Sequence, residues 1–132
     1  MSTLNWLAVV VATLIPFATG FLWFGPVLGK AWMSASGMTE EKAQQGNMPM
    51  IFGGSAVLQF IMAFCLAMFL NTLEIGLTEG GFYGFLTGFG WIAPAMAVSG
   101  LFEQRSGKYM LIHGGYWTLT FTLMGLVLGG WR

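Results

Sequence analysis

Few side chains in this sequence can do chemistry, and they are scattered along apolar runs. Gln59 stands at the centre of one such run, residues 49–70. An unpaired amide is costly in hydrocarbon, so Gln59 must bond across to another helix, for about 0.6 kcal/mol, or face a wet cavity and touch a solute. His113, the sole histidine, lies one turn into the last apolar run, near the turn holding Glu103, Arg105 and Lys108. It could relay protons or stay neutral against a neighbouring helix. For both residues the sequence favours the interhelical bond. Glu103, Arg105 and Lys108 could hold an anionic headgroup, although rim charges that merely set topology are the commoner case.

No Ser-His-acid set, pair of carboxylates or ligand spacing for a metal occurs, so no catalytic residue, metal ligand or cofactor is assigned. Cys65 is the single cysteine, in the middle of an apolar run, and reads as a small inert hydrophobe. The letters Gly88-x-Gly90-x-x-Ala93 match a dinucleotide fingerprint, but they follow no strand.

The elements that must position these residues follow from composition. Of 132 residues, 56% are hydrophobic and 8% charged, against about a quarter charged in a soluble domain. Lipid is therefore the solvent. Lys plus Arg equals Asp plus Glu at five each, which leaves no electrostatic footprint for nucleic acid. Four runs, about 5–24, 49–70, 80–102 and 109–131, reach the roughly 20 apolar residues that cross a bilayer. They are too long and too little alternating for barrel strands, so they read as helices. The N-terminus lacks a basic n-region and a cleavage pattern, so the first run is expected to remain as a span.

The loops after the first and third runs share one side and hold Lys30, Lys42, Arg105 and Lys108, whereas the other side has Arg132. Short-loop Lys and Arg set orientation, so these loops are expected to be cytoplasmic and both termini outside. Short helices are expected over about 26–46, one beginning at Pro26 and a polar one capped by Thr39. An alternative is that the first span kinks through Pro26 towards Ser36.

Gly20-Phe21-x-Trp23-x-x-Pro26 recurs as Gly88-Phe89-x-Trp91-x-x-Pro94, and Ile51-x-Gly53-Gly54 as Ile112-x-Gly114-Gly115. The order suggests two parallel helical-hairpin repeats. Trp23 and Trp91 would then form a buried pair of Trp-Pro turns facing each other, a place to look for a ligand, with packing the favoured role. Pro16 and Pro94 should kink their spans. Gly80, Gly84 and Gly88 repeat every fourth residue, and Gly125 and Gly129 do the same in the fourth run, giving flat stripes for close packing. Whether they pack within one chain or between copies is open at this point.

The run from Trp23 to Trp32, Trp-Phe-Gly-Pro-Val-Leu-Gly-Lys-Ala-Trp, followed by Gly37-Met38-Thr39-Glu40-Glu41, resembles the signature of the domain of unknown function 1761 family, small bacterial integral membrane proteins. Phe102-Glu103-x-Arg105 and Leu111-Ile112-x-x-Gly115-Tyr116 are similar to its second conserved region. Phe24 stands where that family often has Tyr, Gly25 where it often has Ser, and His113 in place of an expected Asn. The resemblance implies four spans and a bacterial inner membrane, and supplies no mechanism.

The expectation is an all-α, four-transmembrane-helix bundle, non-enzymatic, acting through helix association as a self-associating unit or a small subunit. Membrane lipids and further chains would be its partners. The competing expectation is an oligomeric carrier or channel for a small solute or lipid headgroup, with Gln59, Trp91 and His113 lining the site. A cavity reaching Gln59 and His113 favours transport, and a dry core there opposes it. A lipid-modifying enzyme would need His113 and Glu103 at one pocket.

Overall fold

Long apolar runs satisfy their backbone groups internally, and every regular element among the described residues is a helix. The computed structural model describes residues 5–36, 48–73 and 76–131. Four helical stretches are long and apolar enough to cross a membrane: Trp6–Pro26, Pro49–Leu70, Leu77–Phe102 and Gly107–Gly130. The first comprises α1, Trp6–Leu22, and a π-helical turn, Trp23–Val27. After a short α2, Gly29–Ser36, the second span is α3, Met48–Leu73. The third is α4, Leu77–Leu86, a π-helical segment Thr87–Ile92, and α5, Ala93–Phe102; the fourth is α6, Gly107–Gly130. The polar helix expected from Thr39 lies outside the described residues, as do Lys42 and Arg132.

The caps explain where the spans begin and end. Asn5 accepts from Ala8 N–H at 3.1 Å and donates its Nδ2 to Trp131 O at 3.1 Å, which ties the start of α1 to the end of α6. Ser106 caps α6 by accepting from Tyr109 N–H at 3.1 Å. At the end of α5, Arg105 N–H reaches Gly100 O at 2.8 Å and Gln104 N–H reaches Leu101 O at 3.2 Å. That pair is a Schellman motif with Gln104 in the left-handed region at φ 62°.

α6 is the central helix. The first, second and fourth spans form a triangle, and the third lies against the fourth on the other side, barely touching the second. The third and fourth spans meet through their glycines. A Cβ on Gly80 would fall on the Gly125 carbonyl, one on Gly84 on the Phe121 carbonyl, and one on Gly88 would lie 2.7 Å from Trp117 O. Gly129 likewise admits Gly80 Cα, 2.9 Å from where its own Cβ would stand. The stripes are therefore occupied by each other inside one chain.

Polar bonds join the first and fourth spans. Thr19 and Thr120 hydroxyls lie 2.7 Å apart, and because Thr19 already donates to Ile15 O at 3.0 Å, Thr120 supplies the proton between them. Tyr116 donates to Pro16 O at 2.6 Å. Pro16 itself lies within continuous α1, whereas the break in the first span comes later: Gly25 takes φ −104°, ψ −106°, and Leu28 leaves the helix at φ −126°, ψ 16°. Of the two alternatives at Pro26, the chain breaks there and starts a new helix. Gly29 makes that turn feasible, since a Cβ on it would lie 2.8 Å from Phe24 O.

The closed core lies at the end that holds Asn5 and Trp131. Ala8, Val9 and Ala12 of α1 pack there with Ala63, Leu66 and Leu70 of α3 and with Phe121, Met124 and Leu128 of α6. Towards the other end, where α2 and the Glu103–Lys108 turn lie, the triangle opens.

Candidate functional site

The three helices that close around the core diverge beyond Pro16 and leave a groove of about 1260 Å³. That is somewhat above the roughly 300–1,000 Å³ that ordinarily encloses a drug-sized ligand. Each wall is one helical face. Phe17, Gly20, Phe21 and Phe24 supply the first; Phe52, Ser55, Gln59 and Met62, spaced by three and four, supply the second; His113, Tyr116 and Trp117 supply the third. Trp32 of α2 completes the lining and packs at a tilt against Phe24, with ring centroids 5.2 Å apart. Residues 16–24, 52–62 and 113–117 lie in the halves of their spans away from Asn5 and Trp131, so the groove occupies one end of the bundle and ends against the closed core.

The polar groups in this wall are few. Gln59 is only 7% exposed, and its Oε1 is buried without a hydrogen-bond partner. His113 Nε2 is also buried without one. Its ring is held between Tyr109, 4.4 Å between centroids, and Phe24, 5.3 Å. The interhelical bond favoured for Gln59 from sequence is therefore not made, and His113 meets its neighbours through aromatic faces rather than through Nε2.

The other expected site residues divide clearly. Trp23 stands behind the wall: its Nε1 donates to Ile112 O at 3.0 Å, and its ring covers Gly115, where a Cβ would lie 3.0 Å from it. Pro26 is exposed within the break of the first span. Trp91 does not face Trp23; it is 65% exposed on the outside of the third span, and Pro94, also exposed, begins α5. The buried Trp-Pro pair expected from the repeat is corrected accordingly. The π-helical turns fall at or beside the motif in both spans, yet the two copies turn their tryptophans to different surroundings.

Glu103 lines a separate hollow of about 240 Å³ with Ser99 and Tyr109. Arg105 contacts it at 3.5 Å and lies 5.0 Å over the Tyr109 ring; both charges are well exposed. Of these two hollows, Glu103 lines the smaller and His113 the groove. Among the described residues, no three His, Cys, Asp or Glu side chains come together as a metal site. Cys65 is exposed on the second span.

Sequence reasoning found Gln59 and His113 but missed Phe24, Ser55, Tyr116 and Trp117. A signal existed. His113, Tyr116 and Trp117 fall at i, i+3 and i+4, and Ser55 is one turn from Gln59, so each lone polar residue sits on a face with a hydroxyl or an aromatic ring.

No curated protein and no solved structure matches the chain. A family model described as Protein of unknown function (DUF1761) matches residues 7–129, nearly the whole length. With that match on four apolar helices, the chain belongs to the DUF1761 family of proteins of unknown function.

Proposed function

We propose that this protein is a non-enzymatic membrane carrier or binding protein that receives a small amphiphilic molecule from the bilayer into the groove between its first, second and fourth spans. One observation carries the reading: Gln59 and His113 line the same groove, and each holds a buried polar atom, Oε1 and Nε2, without a partner. Burying such atoms is unfavourable, and a bound polar group is what removes the penalty. The break at Gly25 and Pro26 beside the groove supports movement of the entrance, as interrupted helices do at transporter sites.

Self-association, the other function expected from sequence, loses its main motif because the glycine stripes are used within the chain. A homo-oligomer or a larger complex would have to form through the remaining apolar faces, in competition with membrane lipids. Orientation follows the basic loops: the groove opens in the cytoplasmic leaflet of a bacterial inner membrane, with both termini outside. Reporter fusions at the C-terminus test this, and activity confined to the cytoplasm contradicts it.

The function is tested by native mass spectrometry on protein released from gently extracted membranes. Wild type is expected to keep one defined mass per chain, and Ser55→Phe, which fills the groove, to lose it. Retention of the same mass by Ser55→Phe, or ordinary lipid alone on wild type, overturns the proposal.

A further inference from the structure

Resting on the groove being a binding site, we infer that its ligand is an uncharged, hydroxyl-bearing amphiphile, a long-chain alcohol in chemical class, rather than a phosphate-headed lipid, a fatty acid or a cation. The walls are apolar and largely aromatic, and none of Lys30, Glu79, Glu103, Arg105 or Lys108 lines them. A charged group there would be stripped of water with no counter-ion among the described residues that line the groove. The ligand's polar end is therefore neutral.

The two orphaned groups narrow it further. A side-chain amide presents either an acceptor or a donor when turned over, and a neutral imidazole Nε2 is a donor or an acceptor according to its tautomer. A hydroxyl donates one hydrogen bond and accepts others, so it pairs with Gln59 and His113 together in every state except the one in which both present acceptors, where it donates to one of them. A carboxylate only accepts and an ammonium only donates. Ser55, one turn from Gln59 on the same wall, adds a hydroxyl of its own and no charge. The rest of the molecule is chain or ring, held by Phe17, Phe24, Phe52 and Trp117 and entering from the lipid side.

The test uses the full-length protein in lipid nanodiscs and three photoreactive probes of equal chain length: an alcohol carrying a mid-chain diazirine, its methyl ether, and the corresponding carboxylic acid. Cross-linked positions are mapped by peptide mass spectrometry, and saturability is read by competition with unlabelled alcohol. The alcohol is expected to label the 52–62 and 113–117 segments saturably, and the ether and the acid about tenfold less, the loss expected for one uncompensated hydrogen bond. Gln59→Leu is expected to bring alcohol labelling down to the level of the ether and to leave the ether unchanged. If the three probes label the groove equally and saturably, the ligand class is wrong and the groove remains a site. If none labels it saturably, the binding reading itself is overturned. The comparison of probes on wild type decides the matter even where Gln59→Leu does not fold.

Discussion

Gln59 concentrates the physical question at the residue scale. Were it a packing residue, truncating it to Leu would remove a hydrogen bond and lower stability. Because Oε1 is buried and unpartnered, Gln59→Leu is instead expected to stabilise the ligand-free protein by about 1–3 kcal/mol, read as a higher midpoint of thermal unfolding in detergent. A lower midpoint contradicts that. Tyr116 is the contrast, since its hydroxyl is fully used on Pro16 O at 2.6 Å. Tyr116→Phe is expected to cost about 1 kcal/mol in the same assay, and no change would mean the bond is not formed. The anomaly at Gln59 was visible in the sequence because an amide in an apolar run needs an explanation. Its surroundings were not, since nothing in residue order tells whether the facing helix is close or has moved away.

At the scale of elements, the glycines and the caps do most of the positioning. Gly84 and Gly125 let α4 and α6 touch backbone to backbone, so Gly84→Val is expected to force the hairpin apart and cost about 1–3 kcal/mol, measurable as a lower unfolding midpoint. The turn between the third and fourth spans offers the opposite change. Gln104 holds a left-handed conformation that favours glycine, so Gln104→Gly is expected to stabilise by about 1 kcal/mol, and a fall in midpoint would show that its side chain matters. Span positions and glycine spacing were legible in the sequence, as length and close packing leave clear marks. Which face of each span is buried was not. Lipid is as apolar as a protein core, so Trp91 can point outward without leaving a pattern that distinguishes it from Trp23. The break after Trp23 was legible as Gly25-Pro26, but whether it would bend or end the helix depended on Gly29 approaching Phe24 O.

For the whole molecule, the arrangement is asymmetric along the helix axes. One half is a closed core of small and aliphatic side chains, and the other is a groove walled by three diverging helices under Trp32. Small residues at 8, 12, 63 and 67 pack in the closed half, and in the open half the rings of Phe17 and Phe52 meet at 5.8 Å between centroids. An asymmetry of this kind suits loading from one leaflet, and the closed half blocks passage through the centre of a single chain. Transport across the bilayer would therefore require the closed half to open, with the break near Pro26 as the natural hinge. The most direct measurement of the central claim is an experimental density map of the protein prepared in native lipid nanodiscs. The account expects elongated density in the groove whose polar end lies within hydrogen-bond distance of Gln59 or His113. Helices closed over an empty space, with Phe24, Phe52 and Trp117 packed against one another and Gln59 bonded to a neighbouring span, would contradict it.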